Sequence, residues 1–312
     1  MERRPLGTSG VGVSRIGLGG YELGGLAADV PAARAAIEAA LASGTNWVDT
    51  AEGYHDTANE TVIGEAIRDL PERPLISSKA DPEAGAFRRQ QLHAACRASL
   101  RRLGVDHLDV YFLHWPDEPD GVPLAETWGA MGELVDDGLV RAIGLSNFTV
   151  DEIAACHATR PVDVVQDGLS LIDHLGNREA FAWCAENGIA VMVYEPLASG
   201  LLSGRPVTIQ ELRRTWADLE EWTFYDRLCA PGKLERSADV ASGVGRVAAR
   251  LELPPAQVAV AWVLSRREFT AAICGSRNPA HVTQNSAVAE VRLDAEAIAE
   301  LDALVPLGPA FA

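Results

Sequence analysis

Short apolar runs rich in β-branched and aromatic residues alternate about eight times with segments whose apolar residues recur at spacings of three and four. The runs that read as strands are Arg15 to Leu18, Asn46 to Asp49, Leu75 to Ser78, His107 to Leu113, Val140 to Leu145, Val162 to Gln166, Ile189 to Tyr194 and Ala271 to Cys274. Helical patterns fill the gaps at Pro31 to Ala42, Glu60 to Asp69, Gln91 to Leu103, Ala125 to Asp136, Val150 to His157, Asn177 to Glu186 and Asp239 to Arg250. Mostly apolar strands joined by helices through short loops predict parallel pairing with both sheet faces covered. Eight such units predict an α/β fold, a closed (β/α)8 TIM barrel. The competing arrangement is an open doubly wound sheet, which needs a G-x-G-x-x-G turn opening a helix after the first strand. Gly17, Gly19 and Gly20 do not open one.

Local signals agree with these boundaries. Ser43-Gly44 closes the first helix, Asn187-Gly188 closes the sixth, and Thr149 followed by Glu152 is a capping-box pattern opening the fifth. Two segments exceed a bare barrel. Residues 4 to 14 read as an N-terminal hairpin with Thr8-Ser9-Gly10 at its turn, plugging the barrel's N-terminal end. Residues 203 to 238 read as a long loop after the seventh strand, carrying Trp216, Trp222, Phe224 and Tyr225. Long insertions of this kind are usually functional. The whole chain, residues 1 to 312, is expected to form a single barrel domain.

The balance of charge excludes some partners. A formal net charge of −17 with no basic run leaves no positive footprint for nucleic acid or for an anionic membrane surface. No apolar run approaches the roughly 20 residues of a membrane span, and no signal or transit peptide is readable at the N-terminus. The five cysteines, Cys96, Cys156, Cys184, Cys229 and Cys274, are widely spaced and read as small buried hydrophobes in a reducing, cytoplasmic protein. No pattern fixes an oligomeric state.

Chemistry concentrates at strand ends. Asp49, Lys79 and His114 close or follow the second, third and fourth strands, and Tyr54 comes five residues after Asp49. The C-terminal ends of the strands are where barrels of this kind place their active sites. Singly, Asp49 reads equally as a helix cap, Lys79 as a surface strand end and His114 as a satisfied core histidine. Lys79 is one of only two lysines, with Lys233, in a chain that otherwise uses arginine, and arginine is too basic to serve as a tunable proton-relay partner.

The stretches G-T-N-W-V-D-T-A-E-G-Y, I-S-S-K, L-D-V-Y-F-L-H-W-P-D, R-A-I-G-L-S-N-F, V-Y-E-P-L-A-S-G-L-L-S-G and I-C-G-S-R-N-P-A-H-V-T-Q-N resemble, in order, the signature blocks of the aldo-keto reductases. The resemblance runs from about residue 4 to 304. It implies NAD(P)H-dependent reduction of an aldehyde or ketone on a barrel, without metal or flavin. It makes Asp49, Tyr54, Lys79 and His114 a catalytic tetrad. By the same resemblance Ser146, Asn147 and Gln166 would hold the nicotinamide carboxamide and Tyr194 would stack on its ring. Leu197, Ser199, Gly200 and Leu201 would follow the pyrophosphate, and Gly275, Ser276, Arg277, Gln284 and Asn285 would meet the adenosine end. Ser146-Asn147 also reads as an ordinary helix start before Thr149.

Physical roles follow for the four. A tyrosine is neutral at pH 7 and can give a proton to the alkoxide left by hydride addition. Lys79 would lower the phenol's pKa, Asp49 would hold Lys79, and neutral His114 would bond the substrate oxygen beside Tyr54. Tyr21, His55 and Trp115, with Trp222, Phe224 and Tyr225, would wall a substrate pocket suited to a flat or hydrophobic carbonyl, while Glu22 and Glu195 suit sugar hydroxyls. The chain departs from the family pattern at His55, Glu195 and Cys274, in Asp167-Gly168-Leu169-Ser170, and at His281 near the expected 2′-phosphate, so NADPH preference would rest on Arg277. Two alternatives stand beside the reductase: an NAD-dependent aldose or secondary-alcohol dehydrogenase, and a cofactor-binding regulatory subunit without turnover.

Overall fold

The computed structural model describes residues 1–24, 29–82, 87–116, 122–172, 178–205 and 233–304. Its strands are β1 (Arg3–Pro5), β2 (Gly12–Ser14), β3 (Ile16–Gly19), β4 (Trp47–Asp49), β5 (Leu75–Ala80), β6 (Leu108–Leu113), β7 (Val140–Ser146), β8 (Val164–Gly168), β9 (Ala190–Tyr194) and β10 (Ala271–Gly275). The strands β3 to β10 are all parallel, and β10 pairs back onto β3, which closes an eight-stranded barrel. Around it run α1 (Val30–Ala42), α2 (Ala58–Ile67), α3 (Arg89–Leu103), α4 (Leu124–Asp136), α5 (Val150–Thr159), α6 (Arg178–Glu186), α7 (Lys233–Leu251), α8 (Pro255–Leu264), α9 (Pro279–Ser286) and α10 (Ala295–Leu304).

The hairpin forms where expected, with Arg3 opposite Ser14 and Pro5 opposite Gly12. Its turn residue Gly10 has φ +75, a conformation that glycine adopts without strain. Leu6, Val11 and Val13 are buried and join Trp47, Val110, Phe112, Val164, Met192 and Ile273 in one apolar cluster inside the barrel. The hairpin therefore caps the N-terminal end. Two glycines make room for the bulkiest fillers: a Cβ on Gly17 would lie 2.2 Å from the Trp47 indole, and one on Gly144 would lie 2.5 Å from the Phe112 ring.

Several boundaries differ from the sequence reading. β8 begins at Val164, two residues later than expected, and so carries Asp167 and Gly168 into register with Val193 and Tyr194. β5 runs on to Ala80, which places Lys79 within the ladder opposite Phe112. α7 starts at Lys233, so residues 233 to 238 are helix instead of the end of the long loop. α8, α9 and α10 were not anticipated. α8 is buried on nearly every side, from Ala256 to Val263, so its sequence has no amphipathic period to read. α9 is a short, polar helix whose start is marked by Asn278, which accepts from Ala280 N, and by Pro279.

The capping box at α5 is complete: Thr149 Oγ1 accepts from Glu152 N at 3.4 Å and Glu152 Oε2 accepts from Thr149 N at 2.8 Å. Thr149→Ala is expected to cost about 1 kcal/mol in reversible unfolding, the usual worth of an N-cap. An unchanged unfolding midpoint would contradict this. No single helix among the described residues is long and apolar enough to cross a membrane. Cys96, Cys156, Cys184 and Cys274 are buried free thiols, each pushed up to about 12 by burial, as the sequence reading of small buried hydrophobes requires. Cys229 lies outside the described residues.

Candidate active site

Asp49 is the last residue of β4, Lys79 the penultimate residue of β5, and His114 follows β6 directly. Parallel strands of a closed barrel all end on one face, so these three side chains share it. Tyr54 reaches them from the β4–α2 loop. That loop is shaped by three successive left-handed residues, His55 (φ 51), Asp56 (φ 53) and Thr57 (φ 70), a conformation costing roughly 1–2 kcal/mol per residue outside glycine. The chain is thereby folded back over the barrel mouth, with Tyr54 N bonded to Ala51 O and Glu52 N to Lys79 O.

Lys79 is fully buried, and an ammonium there needs every proton matched. It has three partners: Asp49 Oδ2 at 2.7 Å, Thr50 O at 2.8 Å and Tyr54 Oη at 3.4 Å. A lysine has three N–H groups. Asp49 in turn accepts from Ser77 Oγ at 2.6 Å and Gln166 Nε2 at 3.0 Å. Because Lys79 donates to the phenol oxygen, the phenol's own proton stays free to point elsewhere. His114 packs edge-on to Tyr54 with ring centroids 5.7 Å apart, and its Nδ1 lies 3.2 Å from Asp81 Oδ2.

These contacts set the protonation of the group. Burial raises the Tyr54 phenol above its ordinary pKa, against the opposing pull of the Lys79 charge, so it is protonated at neutral pH. Burial alone would lower Lys79, but attraction to Asp49 and the contacts with Tyr54 outweigh it and hold the ammonium above its ordinary value. His114 is lowered, chiefly by burial, although its bond to Asp81 pulls the other way. It is neutral at pH 7.

The residues expected at a cofactor fall into three groups around the same mouth. Ser146 ends β7, Gln166 lies in β8, and Tyr194 ends β9 with its hydroxyl donating to Asn147 Oδ1 at 2.7 Å. Asn147, held at φ 68, also donates to His114 O at 2.9 Å and to Ser146 Oγ at 3.0 Å. Among the described residues Gln166 Oε1 receives no hydrogen bond and the Ser146 hydroxyl donates none. The Leu197–Leu201 turn follows β9, with Ala198, Ser199 and Gly200 at positive φ; its Gly200 and Leu201 N–H groups are used internally, on Leu197 O and Ala198 O. Gly275 ends β10 beside Gly19, exposed, and a Cβ there would meet Gly19 O at 3.8 Å. Arg277 is exposed and has no ion pair among the described residues. Gln284 and Asn285 lie on α9, where Asn285 is 8% exposed beside Leu18 and Cys274.

On the rim, Tyr21 packs against Tyr54 and His55 at centroid distances of 5.1 and 4.6 Å, and Trp115 lies 5.9 Å from His114. Tyr21 and Trp115 are the exposed large aromatics of the described chain. Trp222, Phe224 and Tyr225 lie outside the described residues. The sequence reading missed Ser77 and Asp81. Asp81 follows Lys79 by two residues, and that proximity to a strand end was the available signal.

The Aldo/keto reductase family matches residues 15–306, and the chain belongs to that family of carbonyl–alcohol oxidoreductases. Its relatives include the NADH-specific methylglyoxal reductase of Escherichia coli strain K12, 29% identical over 321 residues that cover 95% of this chain and 96% of that one. A probable aldo-keto reductase 1 of Glycine max is 31% identical over 314 residues, covering 97% and 88%. An aldo/keto reductase from Klebsiella pneumoniae, solved with NADP and acetate, superposes with a TM-score of 0.78 at 29% identity over 99% and 97% of the two chains. The glycerol dehydrogenase of Gluconobacter oxydans, at 24% identity and a TM-score of 0.81 over 99% and 98%, has the same fold.

Proposed function

We propose that this protein reduces a small aldehyde or ketone to the alcohol using a nicotinamide cofactor, NADPH in preference to NADH, with Tyr54 as the general acid. The observation that carries the reading is the complete use of the Lys79 ammonium by Asp49, Thr50 and Tyr54, which leaves the phenol proton available for transfer. A bound reduced nicotinamide supplies the hydride. As the carbonyl carbon gains it, the oxygen takes the Tyr54 proton, and the phenolate left behind is stabilised by the ammonium beside it. Asp49 keeps Lys79 charged and aligned. The substrate oxygen is received between Tyr54 and His114, under the rim formed by Tyr21 and Trp115.

The donor set at the ends of β7 and β8 suits a carboxamide. The bare Gln166 Oε1 can accept from its NH₂, and the free Ser146 hydroxyl can donate to its carbonyl. Tyr194 beside them offers a flat face for the ring. At the far end the exposed backbone at Gly275 and Arg277, without an ion pair among the described residues, suit a phosphate. A buried Lys79–Asp49 pair holding Tyr54 with its proton available also favours turnover over a purely regulatory role.

The similarity to an NADH-specific reductase keeps the other cofactor in view. With a net charge of −17 the protein offers little general attraction to a 2′-phosphate, so discrimination must come from a local contact. Arg277→Ala is expected to weaken NADPH by about ten- to a hundredfold, the worth of one charge-assisted bond, while NADH changes far less. Equal weakening of both would make Arg277 structural, and a wild-type preference for NADH would favour the dehydrogenase reading. The activity itself is tested by a turnover panel of sugars, aromatic aldehydes and ketones with both cofactors, followed by nicotinamide absorbance. No turnover with any carbonyl or alcohol would overturn the reading.

A further inference from the structure

Tyr21 and Trp115, the two large aromatics that the described chain leaves exposed, both stand at the mouth above the tetrad. Exposed rings gathered beside reactive groups offer a contact surface for the apolar part of a ligand. Tyr21 is held there from two sides. Its backbone is tied to the strand that carries Asp49: Gly20 N donates to Asp49 O at 2.7 Å, and Asn59 Nδ2 on α2 donates to Gly20 O at 2.7 Å and to Tyr21 O at 3.3 Å. Asn59 is itself buried, and its Oδ1 accepts from Thr50 Oγ1 at 2.5 Å.

The ring of Tyr21 has a separate support in His55. With φ 51 this residue sits where glycine is at ease and a side chain is not, so the loop keeps an imidazole against its own backbone preference. His55 Nε2 lies 2.9 Å from Tyr21 O, and because a carbonyl can only accept, the imidazole donates. The imidazole also packs on the Tyr21 ring, with centroids 4.6 Å apart and planes tilted by 38°. Tyr54 meets the same ring edge-on at 5.1 Å and 85°. Both aromatic contacts of Tyr21 thus come from adjacent residues of the loop that presents the phenol.

We propose that His55 is a positioning residue that braces Tyr21 as a rigid platform beside Tyr54, and that the platform favours carbonyls carrying a flat apolar group. This deepens the reductase reading and rests on it for the substrate. A ring already held in place loses little freedom when a ligand stacks on it, so the contact contributes to binding instead of being spent on ordering the wall. Asn59 still ties the backbone when His55 is changed, which confines the effect to the ring. Glycine and asparagine both accept the left-handed conformation at this position, so both replacements should fold.

The test has a part independent of catalysis. Fluorine NMR of protein carrying 3-fluorotyrosine at its five tyrosines, with Tyr21 assigned by the signal lost in Tyr21→Phe, should show the Tyr21 signal moving toward that of free fluorotyrosine in His55→Gly. With NADPH, the wild type should favour phenylacetaldehyde over cyclohexylacetaldehyde, which matches it in size but is not flat. His55→Gly should lower that kcat/KM ratio about two- to tenfold, the worth of one aromatic contact, mainly through the KM of phenylacetaldehyde. His55→Asn, too short to cover the ring, should act in the same direction, and in a Tyr21→Ala background His55→Gly should leave the ratio where it is. An unmoved Tyr21 signal, a ratio that stays or rises in both variants, or an equal fall in the Tyr21→Ala background would overturn the proposal. An enzyme that reduces neither aldehyde contradicts the reductase reading, and the fluorine spectrum alone then decides the brace.

Discussion

Tyr54→Phe abolishes carbonyl reduction and leaves cofactor affinity close to that of wild type: this is the expected result of deleting one oxygen from the site. The phenol oxygen accepts the third Lys79 bond, and its own proton is the one the proposed mechanism gives to a substrate oxygen beside His114. Removing a positioned general acid costs typically about 10²- to 10⁴-fold in rate. Phenylalanine preserves the ring that packs on Tyr21 and His114, so the pocket keeps its shape. Because burial raises the phenol's pKa, the wild-type group stays protonated through neutral pH, and reduction should decline only in the alkaline range where tyrosine begins to ionise. Cofactor binding, read by nicotinamide fluorescence, should be nearly unaltered, since the proposed cofactor contacts lie at the ends of β7, β8, β9 and β10, in the turns that follow them and on α9. Turnover within a fewfold of wild type would remove Tyr54 from the mechanism.

Lys79→Met should be the most destabilising single change at the site. It deletes one partner of a buried ion pair and strands the Asp49 carboxylate, a change that costs about 3–5 kcal/mol in comparable pairs. Ser77 and Gln166 still donate to Asp49, which places the expected loss toward the lower end. The sign of the pH dependence follows from the raised Lys79 pKa. Its contribution is complete below the ordinary lysine value of 10.5 and is lost as pH rises through the higher folded value. The gap between wild type and variant should therefore be constant across neutral pH and narrow under strongly alkaline conditions. Chemical denaturation at several pH values measures it. A variant as stable as wild type across neutral pH would contradict the pairing.

Much of this architecture was legible because barrel strands are repetitive. Eight apolar runs, the first seven each followed by a helical pattern, carry their period openly, and the chemical residues stand where those runs stop. Thr149 and Glu152 announced a helix start that the structure forms atom for atom. Other features had no such period. α8 is buried around its circumference, so apolar residues occupy every face and no stripe remains to be read. Gly17 and Gly144 fall inside expected strands, where no local pattern shows that their role is to admit the rings of Trp47 and Phe112 across the barrel interior. Asp81 lay in plain view beside Lys79, but only the fold brings it to His114, 33 positions away. Gln166 was read toward a ligand alone, and its amide nitrogen proves to be a support of Asp49 as well.

The central claim is that this site carries hydride to a carbonyl carbon while Tyr54 protonates the oxygen. It is tested most directly by following label from NADPH deuterated at the nicotinamide C4 into product. With a substrate drawn from the turnover panel, the wild type should yield an alcohol with deuterium on the former carbonyl carbon, one for each cofactor oxidised, and Tyr54→Phe should yield essentially none. Cofactor oxidation without deuterium in the alcohol, or equal labelling by the two proteins, would contradict the account.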